Sequence, residues 1–191
     1  RTEYLAGQRE RAVKSLDFLW VKANVYYSFE DWGFDSGQPA LSHTIAYTLE
    51  GFLESAIILN REEIINYCLK SLEIFCNVIQ DQGGLSAKYD TKWKVCSSSK
   101  CVTGQAQLIS LLAKAFQISS NAIYKKTALR LLEEMLCWQI KSNKKSFHGA
   151  FPASLPIYGE YFPFRYVNWS NKFFLDACYQ MKKILPEWFD K

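Results

Sequence analysis

The sequence has few of the features that mark a membrane protein or a nucleic-acid-binding protein. Its 191 residues carry a net charge of only +4, and the Lys and Arg residues are scattered along the chain. No apolar run approaches the ~18 residues that a transmembrane helix requires. A basic face, which nucleic-acid-binding domains usually have, is also missing. We therefore predict a chain with no membrane span and no nucleic-acid partner.

The chain also lacks the residue spacing of a metal site. Cys96 and Cys101 flank a Ser-rich turn, but no second Cys pair and no histidine lies at a spacing that would complete a zinc site. The remaining cysteines fall at apolar positions of predicted helices, where a free thiol behaves as a small buried hydrophobe. These cysteines are Cys68, Cys76, Cys137 and Cys178. We expect no metal, no cofactor and a reducing, cytoplasmic environment.

The main positive signal in the sequence is an internal repeat of helical segments. Residues 42–59 and 103–118 superimpose when Thr103 is aligned with Thr44, so that their apolar positions coincide. Residues 168–181 form a third segment with a similar polar or aromatic stripe. Because one helical hairpin cannot bury its apolar face alone, the repeat predicts hairpins that stack on one another.

Hydrophobic periodicity predicts an all-α fold of about six helices in three hairpins, with no strands. The predicted helices cover residues 4–23, 42–60, 60–82, 103–118, 121–140 and 169–185. Asn60 and Glu63 resemble a capping box at the start of the third helix. Short links alternate with long connectors, which places the long connectors at one end of the array, where binding sites are common. We expect residues 1–191 to form one domain and to be the C-terminal portion of a longer protein.

Three segments resemble the inner helices of the (α/α) toroids, in which inner and outer helices alternate around a central cavity. The segments are residues 42–51, 101–107 and 168–176. The chain lacks the Cys and His zinc ligands of lanthionine synthetase cyclases and the Asp cluster of terpenoid cyclases. Resemblance therefore remains to the six-hairpin glycosidases and the N-acylglucosamine epimerases. Complete toroids have more helices than are predicted here, so the resemblance implies a partial or half ring.

A polar stripe on the second predicted helix supplies candidate catalytic groups. His43, Tyr47 and Glu50 are spaced by four and three residues, so they lie on one helical face. If this face lines a cavity, Glu50 serves as a general acid or base with His43 beside it. Asp176 of the last helix then supplies the second carboxylate that glycoside cleavage requires. The alternative is that each stripe is a solvated helix face without chemistry.

Aromatic residues in and beside the long connectors supply candidate binding groups. Flat rings with polar neighbours suit sugars, because the C–H faces of a sugar stack on aromatic rings. The predicted substrate-binding residues are Tyr47, Trp32, Trp93, Tyr158, Tyr161 and Trp169. The alternative is that these rings hold long loops against the helix ends.

The resemblance and the connector composition together imply a carbohydrate-handling domain of polysaccharide or glycoconjugate metabolism. The reaction would be of hydrolase or epimerase type, with carboxylates as general acid and base. The alternative is a non-catalytic module of stacked hairpins that binds another protein or a segment outside this chain.

Overall fold

The computed structural model describes residues 2–189, and helices dominate this part of the chain. Its long helices are α2 Arg9–Trp20, α3 Ser42–Leu59, α4 Glu62–Asp81, α5 Val102–Ser119, α6 Ala122–Trp138 and α7 Asn168–Ile184. The one-turn helices are α1 Thr2–Leu5 and α8 Pro186–Phe189. The short strands are β1 Ala40–Leu41, β2 Lys88–Tyr89, β3 Lys100–Cys101 and β4 Ser154–Leu155. The prediction of an all-α fold with about six helices is confirmed.

Helices α3, α5 and α7 form an inner layer and run in the same direction. His43 contacts Gln107, and Glu50 contacts Lys114. Both pairs are 64 residues apart, so α3 and α5 advance together. Helix α7 packs along α5, and a hydrogen bond between Thr103 and Ser170 joins their first turns. Because α5 has neighbours on every side, residues 102–113 are all buried.

Helices α4 and α6 form an outer layer behind the inner one. Helix α4 packs against α3 and α6, and α6 packs against α5. The buried residues of α4 recur at helical spacing, as expected of an amphipathic helix. They include Ile64, Cys68, Leu72, Phe75, Cys76 and Ile79. The Tyr124 hydroxyl of α6 donates a hydrogen bond to the Leu69 carbonyl of α4 at 2.7 Å.

Tight turns join the inner helices to the outer ones and correct one prediction. Asn60 has a φ of 55° and is the C-cap of α3, not the N-cap of α4. Ser120 has a φ of 57° and ends α5 in the same way. Asn tolerates this left-handed conformation, which lets the chain reverse directly after a helix. Arg61 precedes α4 and makes no side-chain cap bond.

Paired extended segments stand before each inner helix. Strand β1 pairs with β2, and β3 pairs with β4, both antiparallel. Pro152 bridges Tyr166 just before α7. These pairs hold the connectors 21–41, 82–101 and 139–167 together at the N-terminal end of the inner helices, as predicted. The prediction of no strands is wrong, because two-residue strands are too short to show an alternating pattern.

The first predicted helix is interrupted. Helix α1 ends at Leu5 and α2 begins at Arg9. Gly7, between them, has a φ of 77°, which right-handed helices do not contain. The bounds of α3 to α7 agree with prediction to within about two residues.

Two further expectations concern the burial of four cysteines and the absence of a membrane span. All six cysteines are free, and Cys68 and Cys76 are buried as predicted. Cys178 is only partly buried, and Cys137 is exposed, which corrects its predicted burial. None of the helices in residues 2–189 is long and apolar enough to cross a membrane.

Candidate functional site

The first turns of α3 and α5 meet the 139–167 connector around His43. His43 Nδ1 lies 2.5 Å from Gln107 Oε1. With Oε1 of the Gln107 amide facing the ring, the contact requires a proton on His43 Nδ1 and leaves the lone pair on Nε2. The His43 ring contacts Tyr47 and Tyr161, with centroids 5.1 and 5.4 Å away. We call the group of His43, Tyr47, Gln107, Tyr161 and Trp169 the His43 site.

The surroundings of His43 keep its imidazole neutral at pH 7. Burial lowers the pKa of His43 from its usual 6.5, and the hydrogen bond to Gln107 opposes this shift without cancelling it. The side chain is only partly buried, so the site is not sealed from solvent. A neutral imidazole with its Nε2 lone pair available can accept a proton or a hydrogen bond.

Gln107 also carries a polar atom without a partner. Its side-chain Nε2 is buried and makes no hydrogen bond within the described residues. The whole residue is 3% exposed. An unsatisfied buried donor costs about 1–3 kcal/mol.

A hydrogen bond orients the aromatic wall of the site. Trp169 Nε1 donates to the Tyr161 hydroxyl at 3.0 Å. Phe162 contacts both rings, with centroids 5.0 Å from Tyr161 and 5.4 Å from Trp169. Tyr161 is buried, whereas Phe162 and Trp169 are 49% and 37% exposed. The wall therefore has a fixed inner ring and two outer rings that face solvent.

Gly104 permits the close approach of α3 and α5 at this site. A Cβ at this position would lie 2.4 Å from Ser42 Oγ and 2.6 Å from His43 N. Only glycine fits at such distances. The Cys101 thiol caps α5 by accepting a hydrogen bond from Gly104 N at 3.4 Å. Burial raises the pKa of Cys101 to about 12, so this thiol stays neutral and structural.

Helices α3 and α5 meet again, two turns beyond His43, through charged side chains. Lys114 Nζ lies 2.8 Å from Glu50 Oε1 and 2.6 Å from Glu54 Oε1. Burial alone would lower the pKa of Lys114, but hydrogen bonds to both carboxylates raise it above its usual value. One ammonium faces two carboxylates, so this cluster keeps an excess of negative charge.

Asp176 lies on α7, one helical turn beyond a ring contact between α3 and α7. The ring of Tyr47 on α3 contacts the ring of Phe173 on α7, with centroids 5.8 Å apart. Glu50 follows Tyr47 by one helical turn, and Asp176 follows Phe173 by one turn. Asp176 forms an ion pair with Lys172 at 2.6 Å. Both carboxylates thus lie beyond the same ring contact, each bound to a lysine.

Two of the predicted binding residues are core residues. Trp32 and Trp93 are 6% and 5% exposed, and their ring centroids are 5.2 Å apart. Trp93 Nε1 donates to the Tyr26 carbonyl at 2.9 Å, which ties the 82–101 connector to the 21–41 connector. Trp93 therefore acts as a structural residue that holds these loops. Tyr158, by contrast, is 68% exposed on the 139–167 connector.

Four of the residues predicted from the sequence lie together at the His43 site. His43, Tyr47, Tyr161 and Trp169 were predicted and lie together. The polar stripe of α5 is Thr103, Gln107, Ser110 and Lys114. Its helical spacing gave a signal for Gln107 and Lys114, but their partners on α3 could not be read from it. Phe173 was not predicted as a site residue, and only its place near predicted ones hinted at it.

A separate groove of about 500 Å³ runs between α2, the 21–41 connector and α3. We call it the α2–α3 groove. Its apolar lining includes Leu16, Leu19, Phe29, Trp32 and Phe52. Tyr47 also lines it, so the groove and the His43 site share this side chain.

The chain matches no protein-family model, no curated protein and no solved structure. Residues 2–189 contain no group of three His, Cys, Asp or Glu side chains that could hold a metal ion. The geometry of the His43 site is therefore the starting point for the function.

Proposed function

We propose that this domain binds a carbohydrate at the His43 site and acts on it by general acid–base chemistry. The observation that carries the proposal is the neutral imidazole of His43, oriented by Gln107 at the edge of an aromatic wall. General bases work best when they are unprotonated at the working pH and held in one orientation. The substrate class is a polysaccharide or a glycoconjugate.

The walls of the site suit a sugar ring. Tyr47 is 50% exposed, and ring contacts through His43 and Tyr161 connect it to the exposed rings of Phe162 and Trp169. Such rings stack on the apolar C–H face of a sugar. A sugar hydroxyl would accept the hydrogen bond that Gln107 Nε2 lacks once the side chain turns to expose this buried atom. Stacking and polar contacts thus come from neighbouring residues.

The carboxylates beyond the Tyr47–Phe173 contact supply the acid–base pair. In a hydrolase, Glu50 or Asp176 takes up a proton from solvent when the sugar displaces its lysine partner, and it donates this proton to the glycosidic oxygen. The other carboxylate activates water or attacks the sugar. In an epimerase, His43 removes a proton from the carbon next to a carbonyl group, and an acid returns one to the opposite face. Both reactions use side chains of the inner layer around the Tyr47–Phe173 contact.

Binding can be tested with a panel of oligosaccharides and calorimetry. We expect Tyr47→Ala and Gln107→Leu to weaken binding at least tenfold, since each removes one of the two kinds of contact. Tyr179→Ala is the matched control, because Tyr179 is an exposed tyrosine near the far end of α7. Absence of any glycan binding to the folded protein would overturn the proposal.

Isotopes distinguish the two reaction types. In ¹⁸O-labelled water, a hydrolase places the label in the released sugar. In deuterated water, an epimerase exchanges one carbon-bound hydrogen for deuterium. Glu50→Gln and Asp176→Asn should remove the first signal, and His43→Gln the second. Catalysis that survives all three substitutions would rule out the assigned acid–base groups.

A protein-interaction module is the second candidate, because both flanks of the array expose apolar side chains. Phe18 and Val21, at the C-terminal end of α2, are 76% and 77% exposed. Leu175 and Tyr179 of α7 are 66% and 65% exposed. Under this alternative, no glycan binds. A protein partner co-purifies instead, and Phe18→Ser or Leu175→Ser releases it.

A further inference from the structure

We propose that the α2–α3 groove binds the hydrocarbon chain of an amphipathic glycan whose sugar occupies the His43 site. This inference rests on the proposed function and names the substrate class more closely. The ligand would be a sugar joined to a neutral, flexible apolar chain.

The size and lining of the groove suit such a chain. Its volume of about 500 Å³ lies in the range of small-molecule sites. Leu16, Phe29 and Phe52 are buried residues that reach its surface from three different segments. Leu19, which is 52% exposed, extends the apolar surface outward along α2.

Gly51 on the groove wall has no explanation within the fold. It lies in the middle of α3, where glycine costs about 1 kcal/mol relative to alanine. A Cβ there would meet nothing within 4 Å, so no neighbour in the described chain requires glycine. Gly104 differs, because a Cβ at that position would clash with Ser42. An occupant of the groove would make use of the space that Gly51 leaves open.

The charged side chains at the groove already have polar partners within the chain. Lys22 and Asp31 form an ion pair at 2.9 Å. Hydrogen bonds from Ser36 and Lys22 lower the pKa of Asp31 to about 2, so the pair persists at neutral pH. Glu30 accepts a hydrogen bond from Asn24 at 2.8 Å. The occupant therefore needs no charge of its own in this part of the site.

Tyr47 connects the groove to the His43 site. Its ring lines the groove on one side and contacts His43 on the other. A ligand with its sugar against His43 would pass over Tyr47 and enter the groove towards Gly51. This continuity favours one ligand with two parts over two unrelated ligands.

Alkyl glycosides of increasing chain length, kept below their micelle concentrations, test the inference by calorimetry. Each buried methylene should raise the affinity about threefold to fourfold. Gly51→Leu fills the groove, so we expect it to remove the dependence on chain length while leaving binding of the free sugar unchanged. Gly51→Ala is the matched control, because its small Cβ has room and should keep most of the dependence.

The arms of the experiment separate this inference from the proposed function. If free sugars bind but chain length has no effect, the inference is overturned and the proposed function stands. If octanol binds in a way that Gly51→Leu abolishes while no sugar binds, the groove is a hydrocarbon site but the glycan assignment fails. A dimer in light scattering that Gly51→Leu dissociates would identify a second copy as the occupant and overturn the inference.

Discussion

The seam between α3 and α5 has two ends with different chemistry. At the N-terminal end, His43 and Gln107 form a neutral pair over the close approach at Gly104. Two turns further on, Glu50 and Lys114 form part of a charged cluster that is more open to water. Both contacts span 64 residues, so the same register produces both.

The two ends of the seam differ in burial and in charge. Side chains of the charged cluster are between 21% and 31% exposed, so solvent screens their attraction. The neutral pair lies where burial shifts a pKa and where a donor on Gln107 has no partner. Shifted pKa values and unsatisfied polar groups are typical of functional sites. We therefore place His43 and the bound sugar of the proposed function at the N-terminal end, while Glu50 at the other end fixes the register through Lys114 and supplies a carboxylate.

Breaking the close approach should have the largest effect. Gly104→Ala would place a Cβ against the backbone of Ser42 and His43, and we expect a loss of about 3 kcal/mol in the free energy of unfolding. Gly51→Ala is the control and should stabilise the protein by up to about 1 kcal/mol, since it improves helix propensity without contact. Urea unfolding measures both. Equal effects of the two substitutions would contradict the assigned role of Gly104.

Removing the cation of the charged cluster should have a smaller effect. Lys114→Met leaves the carboxylates of Glu50 and Glu54 facing each other, with an expected loss of about 1–2 kcal/mol after allowance for screening. Lys14→Met is the control, because Lys14 pairs with Glu10 on an open surface. In urea unfolding, Lys14→Met should lower the free energy of unfolding by less than about 0.5 kcal/mol.

The pKa of Lys114 gives the same cluster a pH dependence. Because this pKa is raised in the folded protein, its contribution to stability is complete below pH 10.5. The contribution is lost as the pH rises through the folded-state pKa. On the alkaline side, the difference in unfolding free energy between wild type and Lys114→Met should therefore persist up to pH 10.5 and shrink above it.

His43 should make stability depend on pH in the opposite direction. Its pKa is lowered by folding, so below pH 6.5 the unfolded chain binds more protons than the folded one. Stability should fall as the pH drops below 6.5, and His43→Gln should reduce that loss. Gln107→Leu should lower the pKa of His43 further, because it removes the one interaction that raises it. NMR titration of the two histidines checks both expectations.

The surface carboxylate should have the smallest effect on stability. Asp176→Asn breaks an exposed i,i+4 ion pair with Lys172, and such pairs contribute about 0.3–0.5 kcal/mol. Urea unfolding should detect only this small loss. A stability change above about 1 kcal/mol would mean that Asp176 has a structural role beyond this pair.

Much of the fold could be predicted from the sequence because helical periodicity is a local signal. The apolar positions of α3, α4 and α5 recur over several turns, and their bounds follow from them. Asn60 was misread because the same residue type favours both an N-cap and a left-handed C-cap. The break at Gly7 depended on one backbone angle, which periodicity does not report.

The candidate site was predicted less completely because it depends on register between distant segments. Helical spacing places His43 and Glu50 on one face of α3. It also places Gln107 and Lys114 on one face of α5. Nothing in the sequence specified that these faces would pair over 64 residues. For Trp93, composition could not separate a ring that binds ligand from one that holds a loop, since burial is set by tertiary packing.

The tautomer of His43 tests the central claim most directly. Nitrogen-15 NMR of the imidazole ring distinguishes a protonated Nδ1 from a protonated Nε2, and His43→Gln separates its signals from those of His148. At pH 7.5 we predict a neutral ring with the proton on Nδ1, bound to Gln107, and an unprotonated Nε2. A proton on Nε2, or a ring that is still cationic at this pH, would contradict the account.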